Sequence, residues 1–157
     1  MKKIIFLVLL SFLGYSQKQM PNIELPAING ETLNVSSDFK EIDKLYVFSF
    51  WATWCAPCIN ELEAMHKKYP SWKDKLSIEI IAVSIDDSKT LKRVKPFLNG
   101  KGWSYNVLLD SNQELKRALS IVNVPYTIVV KNNKIVYVAN GYSQGSEEEL
   151  YNKLLEL

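Results

Sequence analysis

The sequence predicts an α/β fold, in which strands alternate with helices and a terminal hairpin closes the sheet. Apolar runs typical of strands alternate along the chain with stretches of helical periodicity. The last two apolar runs flank Asn132-Asn133, a spacing that indicates a hairpin. The 157 residues, 47% hydrophobic and 23% charged, are enough for one folded domain and too apolar for disorder.

The first residues have the organisation of a secretory signal peptide. Two lysines precede an apolar run over residues 4–13, and small residues lead to a cleavage point after Ser16. The alternative, an uncleaved membrane anchor, would need about 20 apolar residues in a helix, and this run is shorter. We therefore expect residues 1–16 to be removed and residues 17–157 to form a single exported, periplasmic domain.

The charge of that domain is balanced. Removal of residues 1–16 takes away two of the 19 lysine and arginine residues and none of the 17 acidic residues, which leaves 17 of each sign. A nucleic-acid-binding protein would carry a basic excess. Nucleic acid is therefore not an expected partner.

The elements before the middle of the chain follow from turn signals and hydrophobic period. Residues 23–25 and 32–35 flank the turn signal Asn29-Gly30 and predict an N-terminal hairpin. Residues 45–50 are nearly all apolar, as expected of a strand buried on both faces. Residues 59–69 have helical spacing and should end at a proline, Pro70.

The second half continues the alternation. A strand is expected over residues 76–85, a helix over 89–98 shortened or kinked by Pro96, and a short strand over 107–109. Asp110 and its neighbours should cap a helix that runs to Leu119.

The chain closes with the hairpin of residues 126–130 and 135–138 and a last helix over 146–155. Ser146 and Glu149 have the spacing of a capping box, which predicts where that helix begins.

Cys55 and Cys58 are the two cysteines of the chain, and two residues separate them. They stand between a predicted strand and a predicted helix, where the helix dipole favours a thiolate. A structural bridge would gain little by closing so small a loop, and a zinc site would need about four ligands where the chain adds only His66. We therefore predict a redox-active dithiol that uses no metal and no other cofactor.

The pattern Trp51-x-x-Trp54-Cys55-x-x-Cys58 at a strand–helix junction, with Val124-Pro125 before the hairpin, resembles the thioredoxin fold. Three further features restrict this likeness to one family within the fold: the signal peptide, the N-terminal hairpin and the insert between residues 85 and 109. Together they resemble the exported TlpA/ResA-like thiol–disulfide oxidoreductases. The resemblance implies a central mixed sheet flanked by helices, with the N-terminal β-hairpin as an extension and the insert after the second core strand.

The resemblance also implies roles for the motif residues. Cys55 would attack the substrate disulfide, and Cys58 would resolve the mixed disulfide. Trp51 is expected in the core, and Gly141 stands where the family has a substrate-facing glycine, although a plain turn explains it equally well. The residues expected to contact substrate are Trp54, Ala56, Pro57, Val124 and Pro125, the last in a cis peptide bond.

Two positions depart from the thioredoxin pattern. Thioredoxin has a buried aspartate where this chain has Ser49, and serine cannot accept the proton of the resolving thiol. We assign that role to Asp87, with Asp86 as runner-up; the alternative for this pair is a solvated turn or a helix cap. Glu61 matches a glutamate that the family carries on the active-site helix, and Glu63 stands in place of a family proline.

The expected function is reduction of disulfides in other exported proteins. Ala56-Pro57 places no charge between the sulfurs, so nothing there stabilises the reduced form as an oxidant would require. The resemblance suggests substrates such as apocytochrome c and a membrane-bound electron donor. A metal-handling or chaperone-like binding module is the alternative. A peroxidase is disfavoured, because Thr53 is one position too close to Cys55 and the second cysteine follows too soon.

Overall fold

The computed structural model describes residues 18–157, and the predicted signal peptide lies outside the described residues. Within them the strands are β1 (Glu24–Pro26), β2 (Thr32–Asn34), β3 (Leu45–Trp51), β4 (Ile78–Ser84), β5 (Asn106–Leu109), β6 (Tyr126–Lys131) and β7 (Lys134–Asn140). The α-helices are α1 (Ala56–Lys73), α2 (Val94–Lys101), α3 (Glu114–Ala118) and α4 (Ser146–Glu156).

The five longer strands form a mixed sheet in the order β5-β4-β3-β6-β7. Strands β3, β4 and β5 run parallel. Strand β6 pairs antiparallel with β3, and β7 pairs antiparallel with β6 to form the predicted closing hairpin. The prediction of a thioredoxin-like α/β fold with a central mixed sheet is confirmed. Strands β1 and β2 form the predicted separate hairpin.

Strand β3 lies at the centre of the sheet and leads into the cysteine motif. All seven of its residues are buried, because β4 and β6 flank it and packed layers cover both faces. That burial explains its nearly unbroken apolar sequence. Ser49 is the polar residue of this strand, and it is fully buried.

Helix α1 does not end at Pro70, as the sequence predicted. It continues to Lys73, with Pro70 exposed inside it, and the N–H of Asp74 still donates to the Pro70 carbonyl at 3.2 Å. The last turn is held by Trp72, which is buried and stacks on Tyr151 of α4 with ring centroids 5.4 Å apart. This packing offsets the backbone hydrogen bond that the proline removes.

Two other helix starts also differ from their predictions. Pro96 lies in the first turn of α2, where its missing N–H bonds nothing, so the helix begins just before it. The capping box at Ser146 is wrong: Gly145 precedes α4, and the N–H of Gly145 donates to the Glu147 carboxylate at 3.1 Å. Asp110 does hold the start of α3, accepting from the N–H groups of Leu115 and Lys116.

The first described residues reach both edges of the sheet. The N–H of Ile135 in β7 donates to the Lys18 carbonyl at 2.9 Å, and Ala27 bridges to Leu108 of β5 at the opposite edge. Met20, between these two points, is buried. Residues 18–27 therefore pass from one edge strand to the other.

Among residues 18–157, no helix combines the length and the apolar character that crossing a bilayer would require.

Candidate active site

The two cysteines lie just beyond the carboxyl end of β3, where ligand sites of open α/β sheets occur. They form a disulfide with their Cα atoms 5.3 Å apart. Cys55 retains 6% of its surface exposed and Cys58 none. An incoming thiol or disulfide therefore has access to Cys55 first.

Cys55 is the residue that precedes the first turn of α1, and its backbone is extended (φ −98°, ψ 93°). No side chain caps the helix, and its first turn holds no acidic residue. Pro57, whose lost N–H costs nothing in a first turn, lies beside it. The free N–H groups and the helix dipole therefore act on the Cys55 sulfur and favour its thiolate once the disulfide is reduced.

The loop before β6 lies against this sulfur. The Val124–Pro125 peptide bond is cis, as the resemblance implied, and Cys55 Sγ is 3.9 Å from the Val124 carbonyl oxygen. The Pro125 carbonyl accepts a hydrogen bond from the N–H of Gly141 at 2.9 Å. Gly141 has a φ of +83°, which a side chain would disfavour, and no other group lies where its side chain would be.

The tryptophans of the motif occupy opposite environments. Trp51 is fully buried and packs against Trp103 at 5.7 Å between centroids, so its place in the core agrees with the prediction. Trp54 is 58% exposed directly before Cys55. Ala56 and Pro57 are exposed as well, whereas Val124 is half-buried. The exposed residues next to the disulfide, Trp54, Ala56 and Pro57, are therefore all uncharged.

The structure does not join Asp87 to the dithiol. Asp87 is exposed, and its carboxylate accepts from the N–H groups of Lys89 at 2.9 Å and Thr90 at 3.3 Å, which is the capping alternative. Asp86 is fully buried but accepts from Thr53 and from the hydroxyl of Ser84. The hydrogen bonds that the two carboxylates accept therefore come from nearby backbone N–H groups and hydroxyls.

Glu61 supplies a buried carboxylate on α1, the helix that carries Cys58. It lies three residues after Cys58 on α1, a spacing that puts the two side chains on the same face of the helix, and only 6% of it is exposed. Its Oε2 accepts a hydrogen bond from Ser49 Oγ at 2.8 Å, and both its oxygens lie 3.2 Å from Thr127 Oγ1. The carboxylate therefore lies between α1 and strands β3 and β6 of the sheet.

Burial is the main influence on the pKa of the Glu61 carboxyl. Loss of hydration raises the pKa of Glu61 to about 7, while the hydrogen bonds from Ser49 and Thr127 act in the opposite direction. A carboxyl with a pKa near neutrality can both accept and return a proton under physiological conditions.

Glu61 matches a family glutamate in the sequence, where no role is assigned to it. The available signal was an acidic residue three positions after a cysteine, on the apolar face that carries Leu62 and Met65. An acidic residue on such a face is rarely buried unless it is paired or has a function.

Within residues 18–157, no three His, Cys, Asp or Glu side chains are grouped so that they could hold a metal ion.

Comparison with known proteins agrees with this geometry. The model of the AhpC/TSA family matches residues 16–139. The chain is 30% identical over 152 residues to the thiol–disulfide oxidoreductase ResA of Bacillus subtilis (strain 168), a match that covers 87% of this chain and 82% of that protein. It is also 30% identical over 138 residues to the protein of the same name from Bacillus anthracis, covering 87% and 76%.

Solved structures resemble the fold closely. An uncharacterized thioredoxin-like protein from Porphyromonas gingivalis is 41% identical with a TM-score of 0.76, over 88% of this chain and 90% of that one. A putative thiol:disulfide interchange protein DsbE from Chlorobium tepidum has a TM-score of 0.77 at 21% identity, over 89% and 95%. At that identity the second likeness bears on the fold alone.

Proposed function

This chain belongs to the AhpC/TSA family and, within it, to the ResA-like thiol–disulfide oxidoreductases, and from that premise we propose that it reduces disulfide bonds in other exported proteins. The observation that carries the proposal is the pair Cys55–Cys58 at the start of α1, with one sulfur accessible and the other buried. That asymmetry suits a nucleophile and a resolving thiol.

The chemistry follows from the two environments. The Cys55 thiolate attacks one sulfur of a substrate disulfide, so a mixed disulfide forms and the other substrate sulfur leaves as a thiolate. The Cys58 thiol then transfers its proton to the Glu61 carboxylate and attacks Cys55 Sγ. The mixed disulfide breaks, the Cys55–Cys58 disulfide forms, and the substrate has gained two electrons. One substrate thiol takes the proton from Glu61 and the other takes a proton from water.

Glu61 thus replaces Asp87 in the acid–base role that the sequence suggested. Glu61 is buried three residues from Cys58 on the same helix, whereas Asp87 is exposed and caps the chain that follows it. The residues proposed to contact substrate remain Trp54, Ala56, Pro57, Val124 and Pro125.

Three features support a reductase that acts on polypeptides. Ala56-Pro57 adds no charge between the sulfurs, so the reduced form is not strongly stabilised. Trp54 and Pro57 expose apolar surface around the disulfide. Pro57, two residues after Cys55, also lines a groove of about 510 Å³ between α1 and the loop after β7, which gives a polypeptide room to bind along the helix.

The setting we propose is the periplasm, reached through the signal peptide at residues 1–16. A membrane-bound donor would supply the two electrons that restore the dithiol, and oxidised exported proteins, such as apocytochrome c before haem attachment, would consume them.

Trapping of mixed disulfides tests the proposal. Cys58→Ser should accumulate disulfide-linked exported proteins on Cys55, and Cys55→Ser should not; mass spectrometry of the trapped species identifies the substrates. Trapping by Cys55→Ser through Cys58, with none by Cys58→Ser, would reverse the assigned roles. Tight stoichiometric binding in a metal titration of the reduced protein would favour the binding module, and rapid peroxide consumption would favour a peroxidase.

A further inference from the structure

Two buried hydroxyl groups meet at the Glu61 carboxylate. Ser49 of β3 and Thr127 of β6 are cross-strand partners, and both are fully buried. Ser49 Oγ lies 2.8 Å from Glu61 Oε2, and Thr127 Oγ1 lies 3.2 Å from each carboxylate oxygen. Since strands β3 and β6 also carry the cysteine motif and the cis-proline loop at their ends, this pair fixes the carboxylate relative to both halves of the active site.

These contacts involve three side chains that burial would otherwise disfavour. A buried hydroxyl without a hydrogen-bond partner destabilises the folded state, and a buried carboxylate without one does so more strongly. Each group here satisfies another, and neither Ser49 nor Thr127 has a hydrogen-bonded side-chain partner other than Glu61 among the described residues. At the position where thioredoxin has an aspartate, this chain therefore has Ser49, whose hydroxyl donates a hydrogen bond to the carboxylate of Glu61 on α1.

Hydroxyls suit a group that changes its protonation state. A serine or threonine hydroxyl donates one hydrogen bond and can also accept, so it can donate to a carboxylate and accept from a carboxylic acid. A lysine at the same place could only donate, so it would fit the carboxylate but not accept from the carboxylic acid. The pair can therefore keep Glu61 in one position while its proton comes and goes.

Among residues 18–157, no cationic side chain contributes to the pKa shift of Glu61. The titratable groups on which Glu61 is seen to act are Tyr105, just before β5, and Tyr142, after β7, and Glu61 raises the pKa of both. Neither tyrosine is cationic when protonated. The hydroxyls of Ser49 and Thr127 are thus the groups that stabilise the ionised carboxylate against its burial.

We infer that Ser49 and Thr127 are positioning residues that hold the Glu61 carboxylate as the proton acceptor of the resolving step, an inference that rests on the role proposed for Glu61. Without either hydroxyl, the carboxylate loses stabilisation of its charged form, and deprotonation of Cys58 requires a higher pH. Their effect reaches the sulfur through Glu61 alone.

The test follows the resolving step by itself. Reduced protein is mixed with 5,5′-dithiobis(2-nitrobenzoate); attack by Cys55 releases one thionitrobenzoate, and attack by Cys58 on the mixed disulfide releases the second. The rate of the second release is measured from pH 5 to pH 9 for the wild type, Ser49→Ala and Thr127→Val. We expect each variant to shift the midpoint upward by about 0.5–1 pH unit, corresponding to one hydrogen bond of roughly 1 kcal/mol.

Two controls separate this effect from misfolding. Thr127→Ser keeps the hydroxyl and should return the midpoint to the wild-type value. In a Glu61→Gln background, Ser49→Ala and Thr127→Val should produce no further shift of the profile.

Each outcome has one meaning. If Glu61→Gln removes the inflection but the hydroxyl variants leave the wild-type midpoint in place, the positioning role is wrong and the role of Glu61 stands. If Glu61→Gln leaves the inflection unchanged, the acid–base role of Glu61 itself is wrong. A shift that persists in the Glu61→Gln background would show that the hydroxyls act by another route, and would also overturn the inference.

Discussion

Asp86 binds Thr53 through two hydrogen bonds: its carboxylate accepts the Thr53 N–H at 2.9 Å and the Thr53 hydroxyl at 2.6 Å. The hydroxyl of Ser84 donates to the same carboxylate at 2.9 Å, and Asp86 is fully buried. Since Thr53 lies two residues before Cys55, this contact ties the loop that carries Cys55 to the end of β4.

Loss of this carboxylate should destabilise the protein more than loss of its neighbour. Asp86→Ala leaves the N–H and hydroxyl of Thr53 without their acceptor in a buried site, and we expect it to lower the free energy of unfolding by about 2–4 kcal/mol. Asp87→Ala, at an exposed cap, should lower it by about 1 kcal/mol or less. Urea denaturation of the oxidised proteins measures both. Equal losses would show that Asp86 is no stronger an anchor than a surface cap.

The acid–base role of Glu61 predicts a pH-dependent rate. Below its pKa of about 7 the carboxyl is protonated and cannot accept the Cys58 proton, so resolution of the mixed disulfide should accelerate as the pH rises through that value. Glu61→Gln should lose this inflection and resolve about 10²-fold more slowly at pH 8. Asp87→Asn, the matched control, should follow the wild-type profile. Stopped-flow release of substrate thiol measures the rate, and an inflection lost in Asp87→Asn instead would restore the original assignment.

The same carboxyl should make stability fall as the pH rises. Burial raises the pKa of Glu61 from 4.5 in the unfolded chain to about 7, so between these values the folded state binds more protons than the unfolded state. The stability that protonation supplies is present below pH 4.5 and is lost as the pH passes 7. Glu61→Gln should therefore gain stability relative to the wild type from pH 5 to pH 8, by on the order of 3 kcal/mol.

Denaturation of the oxidised proteins at several pH values tests this expectation. Glu24→Gln, at an exposed position of β1, supplies the control and should follow the wild type throughout. A constant difference between Glu61→Gln and the wild type at all pH values would mean that Glu61 does not titrate in this range.

Substitution of Trp72 should lower stability, whereas substitution of Trp54 should lower activity on protein substrates. Trp72 is 2% exposed and stacks on Tyr151, so Trp72→Ala should cost about 3–5 kcal/mol of unfolding free energy. Trp54 is 58% exposed, so Trp54→Ala should change stability by no more than about 0.5 kcal/mol. Trp54→Ala should nevertheless slow reduction of a protein disulfide more than reduction of a small-molecule disulfide. Equal slowing of both substrates would remove Trp54 from substrate contact.

The cysteine motif and its frame were predictable because their signals are local. An apolar run before Cys55, a proline suited to a first helical turn and an Asn-Asn pair between two apolar runs each act within a few residues. The prediction that α1 ends at Pro70 is wrong for the opposite reason. The contact of Trp72 with Tyr151, which keeps α1 intact, joins residues 79 positions apart, and no local pattern contains it.

The burial of Glu61 could not be predicted from local sequence either. Whether an acidic residue near the cysteines is buried depends on what faces it, and Glu61 faces Ser49 and Thr127 from two different strands. Asp86 and Asp87 were attractive because they follow a strand, yet one supports the loop before Cys55 and the other caps a turn. The sequence lacks an acid on the strand at Ser49, and only the packing of α1 on the sheet brings the buried Glu61 carboxylate to that position.

The segment that joins the two sheet edges has a consequence for the order of folding. Residues 18–27 contact Leu108 and Ile135, which lie about 80 to 117 positions later in the chain. Closing such long loops is entropically costly, so these contacts gain little until β5 and β7 are already in place. We therefore expect residues 18–27 to dock last. Until they do, the edge strands β5 and β7 remain open for pairing with other chains.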